Sequence, residues 1–344
     1  MASTPVAPPR RHFVTLGMFI IDMFSFLDAQ GAPTGKTLPP QIGGGGTYAN
    51  IGARIWLAPD RLGMIVDRGH DFPEDVQRKL DSFGTEMWMY RDDPSRGTTR
   101  ALNEYKGEYR GFRYLTPRVR LTPRDLIDTP LEQPATIHFI CSPARAQAIV
   151  SEIKESSGWS PTTIFEPIPD RCVPEELPAL REVLASISIL SPNADEALSL
   201  LSTPGEPTKA TIEEAARRFV DMGVGPDGKG AVIIRSGAMG AYILTRERGG
   251  RWVPAFWRPE DAAKIVDVTG AGNSFLGGLS AGLLLANGDV YEATLYATIS
   301  PSFIIEQEGL PTLTRNIGDD GAIIELWNGD TPQRRLEDLR ARIK

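Results

Sequence analysis

Hydrophobic and polar positions alternate in blocks along the second half of the chain. Four short runs are strongly apolar, at residues 135–141, 162–167, 186–190 and 231–237. Between and around them apolar residues recur at helical spacing, over residues 142–155, 173–184, 193–201 and 210–223. The apolar runs predict buried strands, and the helical spacing predicts amphipathic helices. Strands that alternate with helices lie parallel and are joined by right-handed crossovers, so this half predicts an α/β fold.

The first half of the chain has a different pattern. Residues 1–12 are small, Pro-rich and basic, and we expect a flexible tail. Residues 13–21 (FVTLGMFII) are almost continuously apolar, as is typical of a strand that is buried on both faces. Two later segments, residues 28–42 and 88–121, are polar and turn-rich. We expect them to form short β ribbons that project from the main sheet.

The C-terminal sequence TPQRRLEDLRARI predicts an amphipathic helix. Thr331 can cap this helix and Pro332 suits its first turn. Its apolar side chains share one face: Leu336, Leu339 and Ile343. We therefore divide the chain after the tail into one domain over residues 13–325 and a C-terminal helical segment over residues 326–344.

The composition argues against several classes of protein. The 344 residues include 44 acidic and 37 basic side chains, which gives a net charge of −7 and argues against a general binder of nucleic acids or membrane surfaces. No apolar run approaches the roughly 20 residues that a membrane helix needs, and the N terminus lacks the apolar stretch of a secretory signal. We expect a soluble, cytoplasmic protein.

The cysteines and histidines indicate neither a disulfide framework nor a metal site. The two cysteines, Cys141 and Cys172, form no CxxC pair, so we expect buried thiols. The three histidines match no metal-ligand spacing. We expect His138 in the core, because it lies inside an apolar strand, and His12 and His70 at the surface.

One basic segment stands out against the acidic background. Residues 96–124 hold eight basic side chains and two acidic ones, a local excess of 8 − 2 = 6 charges. Such a segment either attracts a phosphorylated substrate, a polyanion or a partner, or is the solvated face of a ribbon. Strands divide their side chains between two faces, and this favours the second interpretation.

Two glycine-containing patterns fail as nucleotide-binding motifs. Residues 31–37 (GAPTGKT) resemble a phosphate-binding loop, but Gln30 stands where the motif needs glycine, and two prolines follow in place of a helix. We expect a surface loop there. Residues 270–272 begin like a dinucleotide fingerprint, but Phe275 occupies its third glycine position. A hydride-transfer enzyme is therefore disfavoured.

The sequence VDVTGAGNSF, residues 266–275, carries the most chemical information. We expect a strand to end at Asp267, a glycine-bearing turn to follow, and a helical apolar stretch to run from Phe275 to Asn287. Backbone N–H groups of a turn at a helix N terminus point at one spot and favour an anion there.

This stretch resembles the C-terminal signature of the PfkB, or ribokinase-like, carbohydrate kinases, roughly Asp-Thr-x-Gly-Ala-Gly-Asp. Other marks of that family follow in the expected order, namely Gly17 with Asp22, the run Gly45-Gly46-Thr47-Tyr48-Ala49-Asn50, the run Asn193-Ala194-Asp195-Glu196, and residues 235–240 (RSGAMG). The resemblance covers about residues 13–315. It implies a ribokinase-like three-layer α/β/α fold with a mostly parallel central sheet, over which the two polar segments form a small β lid.

The resemblance also implies a function, a set of ligands and a set of site residues. It implies transfer of phosphate from ATP, with Mg²⁺, to a hydroxyl of a sugar, polyol or nucleoside, and a homodimer that pairs through the lid. The matching substrate-binding residues are Asp22, Gly45, Gly46 and Asn50. The matching nucleotide and magnesium residues are Asn193, Glu196, Arg235, Ser236, Gly237, Gly240, Asp267 and Thr269, with Glu196 in indirect contact with the metal. The anion hole matches Gly270, Ala271 and Gly272.

Two positions depart from the family's pattern. Arg235 replaces a threonine in the nucleotide motif, and Asn273 replaces the aspartate that takes the proton from the substrate hydroxyl. An amide can orient a hydroxyl but cannot deprotonate it. Loss of a positioned base costs about 10²–10⁴ in rate. We therefore expect a kinase with reduced activity. The alternative is an inactive kinase-like protein with a ligand-binding or scaffolding role.

Local structural roles compete with these assignments. Asn273 could cap a helix as well as aspartate does, and Glu196 could be a first-turn acid that favours the helix dipole. Asp22 could cap the end of a strand, and Asn50 could belong to a tight turn on the sheet. Glu166 ends a strand and could reach a cleft at the strand ends, but the sequence does not assign it a catalytic role.

Overall fold

The computed structural model describes residues 10–106, 109–318 and 321–343. Its strands are, in chain order, β1 (Phe13–Thr15), β2 (Ile20–Leu27), β3 (Gln41–Gly43), β4 (Leu62–Gly69), β5 (Trp88–Asp93), β6 (Arg100–Lys106), β7 (Tyr109–Tyr114), β8 (Thr136–Cys141), β9 (Thr162–Pro167), β10 (Ile189–Leu190), β11 (Ala231–Arg235), β12 (Ala241–Thr245), β13 (Gly249–Val253), β14 (Leu313–Ile317) and β15 (Ile323–Trp327). Its α-helices are α1 (Gly45–Arg54), α2 (Glu74–Asp81), α3 (Pro143–Glu155), α4 (Leu177–Leu184), α5 (Ala194–Leu200), α6 (Lys209–Asp221), α7 (Ala271–Leu285), α8 (Val290–Ile304) and α9 (Pro332–Arg342).

The central sheet has nine strands in the order β13-β12-β11-β10-β9-β8-β1-β4-β5. All neighbours from β11 to β5 are parallel, whereas β12 and β13 form an antiparallel hairpin at one edge. Helices α1, α7, α8 and α9 cover one face and α3 to α6 cover the other, each through its own apolar cluster. The predicted three-layer fold with a mostly parallel sheet is confirmed.

The second sheet is a small one of four strands in the order β3-β2-β6-β7. The apolar run at residues 13–21 is therefore not one strand, and that prediction is wrong. Its first part is β1 in the main sheet, and its last residues begin β2 in the small sheet. The chain turns between them because Gly17 lies against Gly46 of α1, where a side chain at residue 17 would come within 2.6 Å of the backbone.

The two polar segments contribute less to this lid than we predicted. Residues 88–93 form β5, an edge strand of the main sheet, because Trp88 is buried and donates from its indole Nε1 to the carbonyl of Leu80 at 2.8 Å. Within residues 28–42 only β3 forms a lid strand, and Pro33 adds a single bridge to Leu27 at the end of β2. The phosphate-loop lookalike at residues 31–37 is exposed, as predicted.

No strand leads into the glycine turn, so the prediction of a strand that ends at Asp267 is wrong. Residues 265–270 are irregular, and Val266 and Val268 are 59% and 62% exposed. The apolar side chains there meet no neighbouring strand; instead Val266 donates its backbone N–H to the carbonyl of Ile305 at 2.7 Å. Helix α7 begins at Ala271, four residues before the expected apolar start.

The two ends of the domain differ in how well the sequence predicted them. The predicted helix is α9, with Thr331 as its N-cap and Leu336 and Leu339 buried, but the division at residue 325 cuts through β15. Residues 1–9 of the predicted tail lie outside the described residues. His12 is 7% exposed rather than at the surface, because its Nε2 lies 2.8 Å from the carbonyl oxygen of Ser280.

Several smaller predictions can also be compared with the structure. His138 is fully buried and His70 is exposed, as expected. Cys141 and Cys172 are free, buried thiols. Among the described residues no helix combines the length and apolarity that crossing a membrane requires.

Candidate functional site at the carboxyl edge of the sheet

The first turn of α7 is the structural centre of the site. Gly270 is the N-cap and has a left-handed backbone (φ 77°), and a Cβ there would overlap the ring of Tyr48. The preceding loop is fixed by Asp267, whose Oδ1 accepts from the N–H of Thr269 at 2.9 Å. The N–H groups of the first helical turn have no partner within the helix, so this end of α7 favours an anion.

Asn273 does not cap this helix. It is the third helical residue, and its Nδ2 donates to Oε2 of Glu166 at 2.8 Å. Glu166 lies near the end of β9, where the parallel strands finish, and is 6% exposed. The capping interpretation of Asn273 is therefore wrong, because Gly270 takes the N-cap position and the amide is free to reach across to the sheet.

Arg235 completes a buried ion-pair cluster. It is the last residue of β11, and its Nη1 lies 2.8 Å from Oε1 of Glu166. Its Nη2 donates to the carbonyl of Ser191 at 3.0 Å and lies 3.6 Å from Oε2 of Glu196. A Cβ at Gly272 would overlap Nη1. Arg235 thus places its positive charge directly beside the glycine turn.

The surroundings of the two glutamates move their pKa values in opposite directions. Burial opposes ionisation of Glu166, but Arg235, His138 and the Asn273 amide outweigh it and lower its pKa. Burial raises the pKa of Glu196 to about 7, since the attraction of Arg235 is partly cancelled by repulsion from Glu166. Glu166 is therefore an ionised carboxylate at neutral pH, whereas Glu196 titrates near it.

Asn193 and Glu196 hold each other in a capping box at the start of α5. Oδ1 of Asn193 accepts from the N–H of Glu196 at 2.8 Å, and Oε2 of Glu196 accepts from the N–H of Asn193 at 2.7 Å. Glu196 therefore is a first-turn acidic residue of a helix, as the local interpretation of this residue expected. The same box also holds the Glu196 carboxylate beside Arg235, so the two roles are compatible.

The glycine run at residues 43–46, which leads into α1, lies close to the start of α7. A Cβ at Gly45 would come within 3.0 Å of Nδ2 of Asn273, and a Cβ at Gly43 would overlap the carboxyl group of Asp22. Asp22 is 7% exposed and lies in the lid strand β2, paired with Gln41 of β3. The fold therefore brings Asp22, the glycine run and Asn273 together, although they lie far apart in sequence.

Asn50 lies apart from these groups. It is fully buried in α1, and its Nδ2 donates to the carbonyl of Met87 at 3.2 Å. Its Oδ1 is buried and has no hydrogen-bond partner. In this structure the amide contributes to packing between α1 and the segment before β5.

A cleft of about 550 Å³ opens on the other side of the α7 turn. The residues predicted to bind the nucleotide that line it are Asn193, Arg235, Ser236, Gly237 and Gly240. Ala271 and Gly272, which were predicted for the anion hole, also line it. Its opposite wall is apolar and includes Phe256, Trp257, Ile265 and Phe275. Trp257 is held in place by its Nε1, which donates to the carbonyl of Ser302 at 3.0 Å. Glu196, Asp267 and Thr269 do not line this cleft.

Sequence reasoning did not assign Glu166 to the site, and it missed the aromatic wall. The sequence signal for Glu166 was an acidic residue at the end of a buried strand. The pair Phe256 and Trp257 lies outside every motif, and only the packing of its loop on α8 shows its position. Among the described residues, no group of three or more His, Cys, Asp or Glu side chains is arranged to hold a metal ion.

The sequence pattern of the family described as pfkB family carbohydrate kinase matches residues 92–315. The chain belongs to this family. It is 35% identical over 345 residues to an uncharacterized protein of Schizosaccharomyces pombe, across 95% of this chain and 92% of the relative. It is also 35% identical over 348 residues to Protein MAK32 of Saccharomyces cerevisiae, across 94% and 90%.

The fold is ribokinase-like. A solved structure of Arabidopsis thaliana ribokinase, complexed with ribose and ATP, superimposes with a TM-score of 0.63 at 17% identity. The match covers 89% of this chain and 95% of that one. This pfkB family chain therefore shares the architecture of sugar kinases.

Proposed function

We propose that the protein transfers the γ-phosphoryl group of ATP to a hydroxyl of a small sugar, polyol or nucleoside. The observation that supports this proposal best is the position of the α7 N terminus between a cleft and the glycine run that leads into α1. Ala271 and Gly272 line the 550 Å³ cleft, while Asn273 reaches the glycine run at Gly45. A phosphoryl group at this turn would be in reach of ligands on both sides, as phosphoryl transfer requires.

The cleft has the chemistry that a nucleotide needs. Its apolar wall, with the fixed indole of Trp257, suits a base, and its other end carries Arg235 and the first turn of α7, which suit phosphates. Mg²⁺ would neutralise phosphate charge and would be held mainly by phosphates and water. This division of the cleft supports binding of ATP as an intact nucleotide.

The predicted substrate groups lie on the other side of the α7 turn. Asp22 in the lid offers a carboxylate, and the absence of side chains at Gly43 and Gly45 lets Asp22 and Asn273 come close to this glycine run. A carboxylate accepts hydrogen bonds from hydroxyl groups. This combination supports a polyhydroxylated substrate beneath the lid, and the Arabidopsis ribokinase of the same fold was solved with ribose, a substrate of this class.

A second candidate is a kinase-like protein that binds these ligands without turnover. The specific observation that favours it is the hydrogen bond from Asn273 to Glu166, since an amide now occupies the position of the family's base. Positioning of the reactants and stabilisation of charge account for most of the catalysis of phosphoryl transfer. We therefore favour slow turnover over none.

The test is formation of ADP from MgATP with a panel of pentoses, hexoses, polyols and nucleosides, together with calorimetric titration of the nucleotide. Turnover that depends on one substrate class supports the kinase. Nucleotide binding without turnover for any substrate supports the second candidate. A protein that binds no nucleotide contradicts both.

A further inference from the structure

Glu166 is the carboxylate that contacts the side chain at the family's base position. Its Oε2 accepts from Asn273, and its Oε1 pairs with Arg235. Asn273 in turn lies over Gly45, where the proposed substrate binds. An amide cannot take a proton at neutral pH, whereas a carboxylate can, and each carboxylate oxygen has two acceptor sites. Asn273 uses one site of Oε2, and Nε2 of His138 lies 3.4 Å from the same oxygen.

We infer that Glu166 takes the proton of the substrate hydroxyl and that Asn273 orients this hydroxyl. This inference rests on the proposed function. The substrate oxygen forms a bond to the γ-phosphorus of ATP while the bond between that phosphorus and the β,γ-bridging oxygen breaks. ADP leaves with that electron pair, and the hydroxyl proton passes to Oε2 of Glu166 and then to solvent.

The charged groups around Glu166 are compatible with this role. Arg235 faces it from β11, and His138 of β8 places Nε2 at 3.4 Å from Oε2. Asn273 approaches from α7. The carboxylate of Glu196, a residue of α5, lies 3.6 Å from Nη2 of Arg235. In a loose phosphoryl-transfer transition state the proton moves late, so a carboxylate that is ionised at neutral pH suffices. A phosphate beside Gly272 would also compete for Arg235 and leave Glu166 more basic.

The other nearby carboxylates are less suited to the step. Oε2 of Glu196 is bonded to the backbone of its own helix cap. Asp267 is turned toward the N–H of Thr269, in the loop before α7. Neither contacts Asn273 through a hydrogen bond that the structure shows, whereas Glu166 does.

The experiment compares wild type with Glu166→Gln, Glu166→Asp and the control Glu325→Gln. Glu325 also forms an ion pair with a buried arginine, Arg54, but on α1 and β15, away from the site. We expect Glu166→Gln to lower kcat about 10²–10³-fold with a smaller change in KM. The thermal midpoint should fall in both Glu166→Gln and Glu325→Gln, because each variant leaves a buried arginine without an ion-pair partner. Glu166→Asp should recover part of kcat, because it keeps a carboxylate at this position, and a purely structural role of Glu166 would not predict this recovery.

The outcomes separate this inference from the proposed function. A kcat for Glu166→Gln within about threefold of wild type, in a folded protein that binds nucleotide, overturns the role of Glu166 and leaves the kinase intact. Equal losses in Glu166→Gln and Glu325→Gln also overturn it, because the effect is then structural. Absence of turnover in wild type overturns the proposed function, and the role of Glu166 with it.

Discussion

The exchange Asn273→Asp places a carboxylate where the structure has an amide, and we expect it to destabilise this protein. In wild type the Asn273 amide donates to Glu166 Oε2 at 2.8 Å. Such a hydrogen bond to a charged group contributes about 1.5–3 kcal/mol. The aspartate variant loses it and places a second carboxylate against a largely buried first one.

The size of the effect follows from the distance and the pH. Two carboxylates about 3 Å apart repel by about 5 kcal/mol at an effective dielectric constant of about 20. The folded variant would instead keep a proton on the pair, so the pKa of one carboxyl rises above its unfolded value. The free energy of unfolding then falls as pH rises. We expect a loss of about 3–5 kcal/mol at pH 8 and about 1–2 kcal/mol at pH 5 relative to wild type.

The assay is guanidinium unfolding of each variant at both pH values, with two controls. Asn273→Ala removes the hydrogen bond without adding charge, so its loss should be similar at the two pH values. The double variant Asn273→Asp with Glu166→Gln keeps one carboxylate and should recover most of the loss at pH 8. If Asn273→Asp is as stable as wild type at pH 8, or equally destabilised at both, the contact with Glu166 is not as described and the reasoning is refuted.

Three further predictions concern other parts of the fold. Because the pKa of Glu196 is raised from 4.5 to about 7, the free energy of unfolding should fall by up to about 3 kcal/mol as pH rises through that range. Urea unfolding of Glu196→Gln should not show this fall. The same pH profile in Glu196→Gln and in wild type would contradict the prediction. Burial raises the pKa of Cys141 to about 12 and also raises that of Cys172. A thiol reagent should therefore label both cysteines only after the protein unfolds. Rapid labelling of the native protein would contradict this prediction. Gly46→Ala overlaps the facing backbone and should cost about 1–3 kcal/mol in thermal unfolding, whereas Gly97→Ala, with no atom nearer than 3.6 Å, should be close to neutral.

The strands and helices between residues 135 and 235 were largely predictable because local patterns decide them. Strand β9 occupies the predicted residues 162–167, and α3 follows its predicted cap at Ser142. Where the burial of an apolar run depends on residues that are distant in sequence, the prediction of strands was wrong. Residues 13–21 are uniformly apolar, yet they divide between two sheets, because Gly17 meets Gly46 and the chain turns there.

The sequence by itself determined the α/β architecture, the family and most of the loops that carry the site. It did so because strand and helix periodicities are local, and because the glycine turns occur in a fixed order along the chain. Only the tertiary structure decided which charges meet. Residues 166, 235 and 273 lie on three different elements, and their contact depends on how α7 packs across the ends of β9 and β11. Ion pairs of this kind are set by distances that no sequence spacing specifies.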